Sequence, residues 1–166
     1  MKKAILFSLL ITLCLVQEAT AQASKPLVPD NVKILNPGKG YLNSINTRAL
    51  RDFLGKYENA TDVVWYSVQN GFIVRFKIDS IFSRAAYNSK GHWVYTIKHY
   101  MEAKMPRAVR GLVKSTYYDY EITLVEEIEQ PNENVKYLVH LQDNVSWKNV
   151  LVSEGQLELV EDRTKL

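Results

Sequence analysis

Three features of this chain predict an α+β fold made of two units, each a helix followed by a four-stranded antiparallel meander, with the helices packed on one face of the sheet. The first is the run from Phe53 to Phe76, where a helix ends, a strand begins and a hairpin turns in immediate succession. The second is the alternation that follows: Phe72, Val74 and Phe76 fall on one side, and Ile73, Arg75 and Lys77 on the other, the two-residue period of a strand covered on one face. The third is that the same order of signals starts over after about Tyr100.

Taken in order, the chain begins with Met1-Lys2-Lys3, an apolar run from Ala4 to Val16, and Ala19-Thr20-Ala21. These are the basic, apolar and small-residue parts of a secretory signal peptide, so residues 1–21 are expected to be removed after Ala21, leaving a periplasmic or secreted protein. The run is short of the roughly 20 apolar residues that span a bilayer, and no membrane span is expected in the mature chain. Residues 22–43 carry Pro26, Pro29, Pro37, Gly38 and Gly40, too broken for a helix and too polar for a core strand, and read as an N-terminal arm tacked down at Ile34 and Tyr41.

The first unit occupies residues 44–100. Its helix has Ser44 or Asn46 as candidate cap and Leu50, Phe53, Leu54 and Tyr57 as its apolar stripe. Strands follow over Asp62 to Val68, Phe72 to Asp79 and Ile81 to Tyr87. Asn70-Gly71 is read as a two-residue turn with positive φ at both positions. Asn88-Ser89-Lys90-Gly91 makes a second turn, after which Trp93, Tyr95 and Ile97 alternate along a fourth strand. The second unit, residues 101–166, opens its helix at Met105-Pro106, where the missing N–H costs nothing, and stripes it with Val109, Leu112 and Val113. Its strands are expected over Tyr120 to Ile128, Val135 to Gln142, Ser146 to Val152 and Gln156 to Val160. Tyr57 then corresponds to Tyr117, Phe72/Val74/Phe76 to Tyr137/Val139/Leu141, and Gly91 to Gly155, a repeat of about 60 to 65 residues stretched by the longer hairpin Glu129 to Asn134.

Ala60-Thr61-Asp62-Val63-x-Trp65, Asn70-Gly71-Phe72-x-Val74-x-Phe76, Ala85-x-Tyr87-Asn88-x-x-Gly91-x-Trp93, Pro106-x-x-Val109 and Tyr117-x-x-Tyr120-x-Ile122 together resemble the β-lactamase-inhibitor-like, PepSY-like domain family of small exported proteins common in Bacteroidetes. The resemblance covers about residues 45 to 160. It is weaker in the second unit, where Pro131 to Asn134 lengthen a turn and Trp147-Lys148-Asn149 departs from the usual strand. It implies a BLIP-like/PepSY-like fold and export, and leaves activity open, since one shape hosts many functions.

Composition narrows the chemistry. The only cysteine is Cys14, so a chain processed after Ala21 has neither disulfide nor thiol and depends on its core alone. The formal charge of +3 falls closer to zero once Lys2, Lys3 and Glu18 leave, which argues against nucleic-acid or membrane-surface binding by bulk charge. Arg107, Arg110 and Lys114 share a face of the second helix without interleaved aromatics, the pattern of a solvated face. His92, His99 and His140 lack chelating spacing, so no metal is expected. Glu121, Glu126, Glu127, Glu129 and Glu133 have neither the spacing nor the central glycine of a calcium loop and read as a solvated edge strand and turn. There is no Gly-x-Ser-x-Gly elbow and no phosphate-cradling glycine loop; no enzyme activity and no cofactor are expected.

The face of the sheet turned away from the helices carries the strongest functional signal. If Phe72, Val74, Phe76, Ala85, Tyr87, Val150 and Val152 point at the helices, alternation puts Tyr66, Ile73, Arg75, Phe82, Arg84, Leu138, His140, Trp147 and Asn149 on the open face. Aromatics and arginines with few acids are the composition enriched at protein contacts. The expectation is a non-enzymatic binding module that meets a protein or peptide through this face. The competing reading is a carrier that holds an apolar or envelope-derived ligand in a cavity of several hundred Å³ between helices and sheet.

Overall fold

In the computed structural model, the backbone is described for residues 33–35 and residues 44–165 are described in full. The expected signal peptide, its cleavage site and most of the arm, Tyr41 included, lie outside the described residues. The strands are β1 (Lys33–Leu35), β2 (Thr61–Val68), β3 (Gly71–Ile78), β4 (Ile81–Asn88), β5 (Trp93–Tyr100), β6 (Glu121–Glu129), β7 (Lys136–Gln142), β8 (Ser146–Ser153) and β9 (Gln156–Thr164). The helices are α1 (Thr47–Lys56) and α2 (Arg107–Thr116). The strands form one nine-stranded sheet in sequence order, each antiparallel to the next. Eight belong to the two helix-plus-four-strand units, and β1 adds an edge through Ile34 opposite Tyr66. Pairing of β5 with β6, Thr96 opposite Glu129 through Tyr100 opposite Val125, makes the two meanders a single sheet.

Each helix covers the sheet of its own unit. Asn46 caps α1, its side chain accepting from the Arg48 N–H at 2.9 Å, and Ala49, Phe53 and Tyr57 are buried against Trp65, Val74, Phe76, Ala85 and Tyr87. Phe53 sits edge-on to Trp65 and Phe76, with centroids 5.4 and 5.1 Å away, a geometry that adds to the burial itself. In the second unit Val113 lies against Ile122, Val125, Val139, Leu141, Val150 and Val152, with Val109 and Leu112 alongside. The expected helix-facing residues therefore face the helices, Phe72 as a partly buried member of the first core.

The repeat is visible in details finer than strand order. Both helices end at a tyrosine, Tyr57 with φ −129 and ψ 59 and Tyr117 with φ −121 and ψ 58, and each tyrosine N–H donates back four residues at 2.9 Å. Register slips in the first strand of each unit, between Thr61 and Val64 and between Ile122 and Leu124, and again where the third strand meets the fourth, between Ala86 and Tyr87 and between Asn149 and Val150. Gly91 and Gly155, both with positive φ, turn the chain between those strands.

Four expectations are corrected. The glutamate-rich strand is no solvated edge: β6 lies between β5 and β7, and its Glu127 and Glu129 are partly buried where they hold the Lys98 ammonium. Leu54 is 59% exposed, because the face of α1 toward the sheet runs through Ala49, Phe53 and Tyr57 in i+4 steps, and the small Ala49 lets the helix approach closely. Trp93 does not share a face with Tyr95 and Ile97. With Tyr95 opposite Ala86 and Trp93 opposite Tyr87, Val94 is an extra residue, and this bulge sends Trp93 to the helix side, where its Nε1 donates to Thr96 at 2.9 Å. The first hairpin turns one residue earlier than expected: Val68 pairs with Gly71, so Gln69-Asn70 is the loop, and Asn70 is not among the residues with positive φ. Gly71 is needed for a different reason. A Cβ there would stand 2.0 Å from the Tyr87 carbonyl oxygen on the neighbouring strand.

Candidate functional site

Alternation along β2, β3 and β4 carries side chains to the uncovered face between the core residues. Register sets them in rows across the strands: Tyr66 opposite Ile73, Val64 opposite Arg75 opposite Arg84 opposite Ile97, and Lys77 opposite Phe82 opposite His99. These rows, apart from Ile97, line an open groove of about 840 Å³. All five expected residues of the first unit, Tyr66, Ile73, Arg75, Phe82 and Arg84, are among its walls. Phe82 is 56% exposed, with the Lys77 Nζ 4.6 Å above its ring. Lys77 in turn pairs with Asp62 at 2.7 Å, while Arg75 reaches only the Tyr66 hydroxyl, at a long 3.5 Å.

The four expected residues of the second unit lie on the same face but outside the groove. Leu138 is opposite Glu126, and His140 is opposite Asn149, whose Nδ2 donates to Glu161 at 2.6 Å. Trp147 is 48% exposed, with the Lys165 ammonium 5.1 Å from its ring centre. The second unit therefore offers separate, partly committed groups where the first offers a lined depression.

Sequence reasoning put Lys77 on this face but not in the site, and missed His99 and Glu126. Those two follow from parity once the cross-strand register is known, and register is what a single strand's pattern does not contain. Glu126 lies between two histidines, His99 Nε2 and His140 Nε2 being 3.7 and 3.6 Å from its Oε1. Those separations exceed hydrogen-bond length, and His140 Nε2 is buried without a hydrogen-bond partner. Among the described residues no group of three or more His, Cys, Asp or Glu side chains is placed to hold a metal ion.

Most of the shifted titrations collect on the opposite face. Burial works against the Lys98 ammonium, but hydrogen bonds from it to Glu127 at 2.8 Å and Glu129 at 2.5 Å outweigh that and raise its pKa. Tyr100, buried and donating to Glu127 at 2.6 Å, is raised as well. Burial pushes Tyr57 up to about 12; its hydroxyl shares a hydrogen bond with Thr96. Burial also raises Tyr87, helped by its hydrogen bond to Asp52 at 2.9 Å. Lys56 is lowered by burial and lies 3.2 Å over the Trp93 ring. The Tyr87 and Tyr100 hydroxyls each donate to a fixed carboxylate, which suits a structural network. A space of about 330 Å³ on this side is lined by Lys56, Asp79, Lys98 and Glu129 among others.

No helix among the described residues is long and apolar enough to cross a membrane. No protein-family model matches the chain, and no curated protein matches it significantly. Solved structures do. A BLIP-like protein from Bacteroides fragilis superposes with a TM-score of 0.60 at 19% identity, over 72% of this chain and 86% of that one. A DUF2874 family protein from Bacteroides ovatus gives 0.60 at 19%, over 72% and 87%. Another DUF2874 protein, from Bacteroides uniformis, gives 0.58 at 14%, over 71% and 88%. At these identities the likeness establishes the fold, and it agrees with the BLIP-like architecture implied by the motifs of the first unit.

Proposed function

We propose that this chain is an exported, non-enzymatic binding module that recognises a protein or peptide through the open sheet face. The observation that carries this reading is the groove of about 840 Å³, walled by Tyr66, Ile73, Arg75, Phe82 and Arg84 on a face that neither helix of the described residues covers. Exposed aromatic and arginine side chains gathered in a depression are the usual anchors of a protein contact. The N-terminal pattern from Met1 to Ala21 supports export. The carrier reading has less behind it. Phe53, Trp65 and Phe76 fill the space between α1 and the sheet, and the room of about 330 Å³ at the junction is open and has Lys56, Asp79, Lys98 and Glu129 among its apolar walls, where a carrier would need an enclosed cavity.

The test compares three forms of the protein as baits in an exported-protein extract: wild type, Phe82→Ala together with Trp147→Ala, and Leu54→Ala on the helix side as control. A partner identified by mass spectrometry is expected with wild type and control and lost with the double variant. Equal recovery by all three would sink the reading, and a small molecule retained in the native mass spectrum would favour the carrier.

A further inference from the structure

We infer that Arg75 and Arg84 form a receptor for carboxylate side chains, so that the groove takes a short acidic peptide segment flanked by apolar residues. This rests on the open-face reading above and names the chemistry of its partner. The two arginines are direct register partners on β3 and β4, both exposed. Like charges placed opposite one another on a sheet repel, so the arrangement is one that a sheet without a use for it would avoid.

The rest of the sheet neutralises its cations. Among described strand residues, Lys77 has Asp62 at 2.7 Å, Lys98 has Glu127 and Glu129, Lys136 has Glu133 at 2.6 Å, Lys148 has Asp162 at 2.5 Å and Arg163 has Glu161 at 2.5 Å. Among the strand cations of residues 44–165, Arg75 and Arg84 alone have no carboxylate of the described residues within that range. They also sit between Val64 and Ile97 in one row, with Ile73 and Phe82 on either side, surroundings that strengthen a charged hydrogen bond once a partner excludes water. Guanidinium groups grip carboxylates bidentately.

The charge pattern favours peptide over other anions. Beyond the pair, the same face is mixed: Glu126 stands opposite His99 and Glu158 opposite Leu151, while Lys136, at the far end of the arginine row, and Arg163 are each held by a glutamate, so no run of unpaired cations continues across it as a nucleic acid backbone requires. The groove, at about 840 Å³, is larger than a lone carboxylate needs, and two adjacent guanidinium groups match two acids spaced along an extended segment.

A displayed library of random twelve-residue peptides, selected on the full-length protein, supplies the probe. Enriched peptides are expected to carry two Asp or Glu next to aliphatic or aromatic residues. Synthetic versions should bind at least tenfold more weakly to the Arg75→Gln, Arg84→Gln double variant. Replacing their acids by amides should cost the same factor on wild type and nothing further on the double variant. The double variant must melt no lower than wild type, as loss of an exposed like-charge pair predicts. Peptides that lose binding with Phe82→Ala but show no acid enrichment and ignore the arginine changes would overturn the carboxylate receptor while leaving the open-face reading intact. Peptides indifferent to Phe82→Ala, or no enrichment at all, would overturn both. A tenfold preference for phosphoserine over glutamate would reassign the pair to phosphate. A wild-type dimer in sedimentation that the arginine changes dissolve would assign the face to a second copy. Either result overturns the proposal.

Discussion

Asp143, in the turn between β7 and β8, accepts hydrogen bonds from the backbone N–H groups of Val145 at 2.9 Å and Ser146 at 2.6 Å, and from the Ser146 hydroxyl at 3.1 Å. The Val145 bond leads in holding its carboxyl below the ordinary value of 3.8. A depressed folded-state pKa means the contribution is complete above that ordinary value and is lost as pH falls through the folded one. Protection of the Val145 and Ser146 amides against hydrogen exchange is therefore expected to fade on acidification below about pH 4, earlier than protection of the central strands. In Asp143→Asn this acid dependence should vanish; persistence of it in the variant would mean another group is responsible. Legibility at this scale was uneven. Glycine at 71 suggested a turn because glycine commonly supplies positive φ there, yet its requirement comes from the Tyr87 carbonyl on the next strand, a contact that no local pattern encodes.

The helices show which part of an amphipathic pattern the tertiary contact uses. Phe53 and Leu54 both belong to an apolar stripe in sequence, but Phe53 is 1% exposed and Leu54 looks outward. Phe53→Ala is expected to lower unfolding free energy by about 3–5 kcal/mol, and Leu54→Ala by less than about 0.5 kcal/mol. Chemical denaturation of the two variants measures this, and comparable losses would contradict the packing. Bulges set the matching limit for strands. Parity along β3, β4, β7 and β8 was readable because those strands run without an extra residue. In β5 the bulge at Val94 reverses it, so Trp93 joins Thr96 and Lys56 on the helix side. Nothing in Trp93-Val94-Tyr95 marks the bulge, since it is decided by pairing with Ala86 and Tyr87.

Across the molecule, the two cores are bound together by the β5–β6 ladder and by the Lys98 network beneath it. With Lys98 replaced by Ala, Glu127 and Glu129 lose their shared cation. Because the Lys98 side chain keeps 30% exposure, the expected loss is about 1–2 kcal/mol, below that of a fully buried pair. Since the units share a sheet, tryptophan fluorescence, weighted to Trp65 in the first unit, and far-ultraviolet circular dichroism should still report one coincident transition in wild type. Separate midpoints would mean the units fold independently. By itself the sequence determined two repeats, the identity of nearly every strand and the parity of the bulge-free ones, because hydrophobic periodicity is a local property that burial on one face imposes on each element. Only the tertiary structure decided that the meanders join into one sheet, that the five open-face residues of the first unit line a groove while the four of the second stay outside it, and that Arg75 meets Arg84 without an acid. Those outcomes depend on register between strands, which is selected by contacts among residues far apart in the chain.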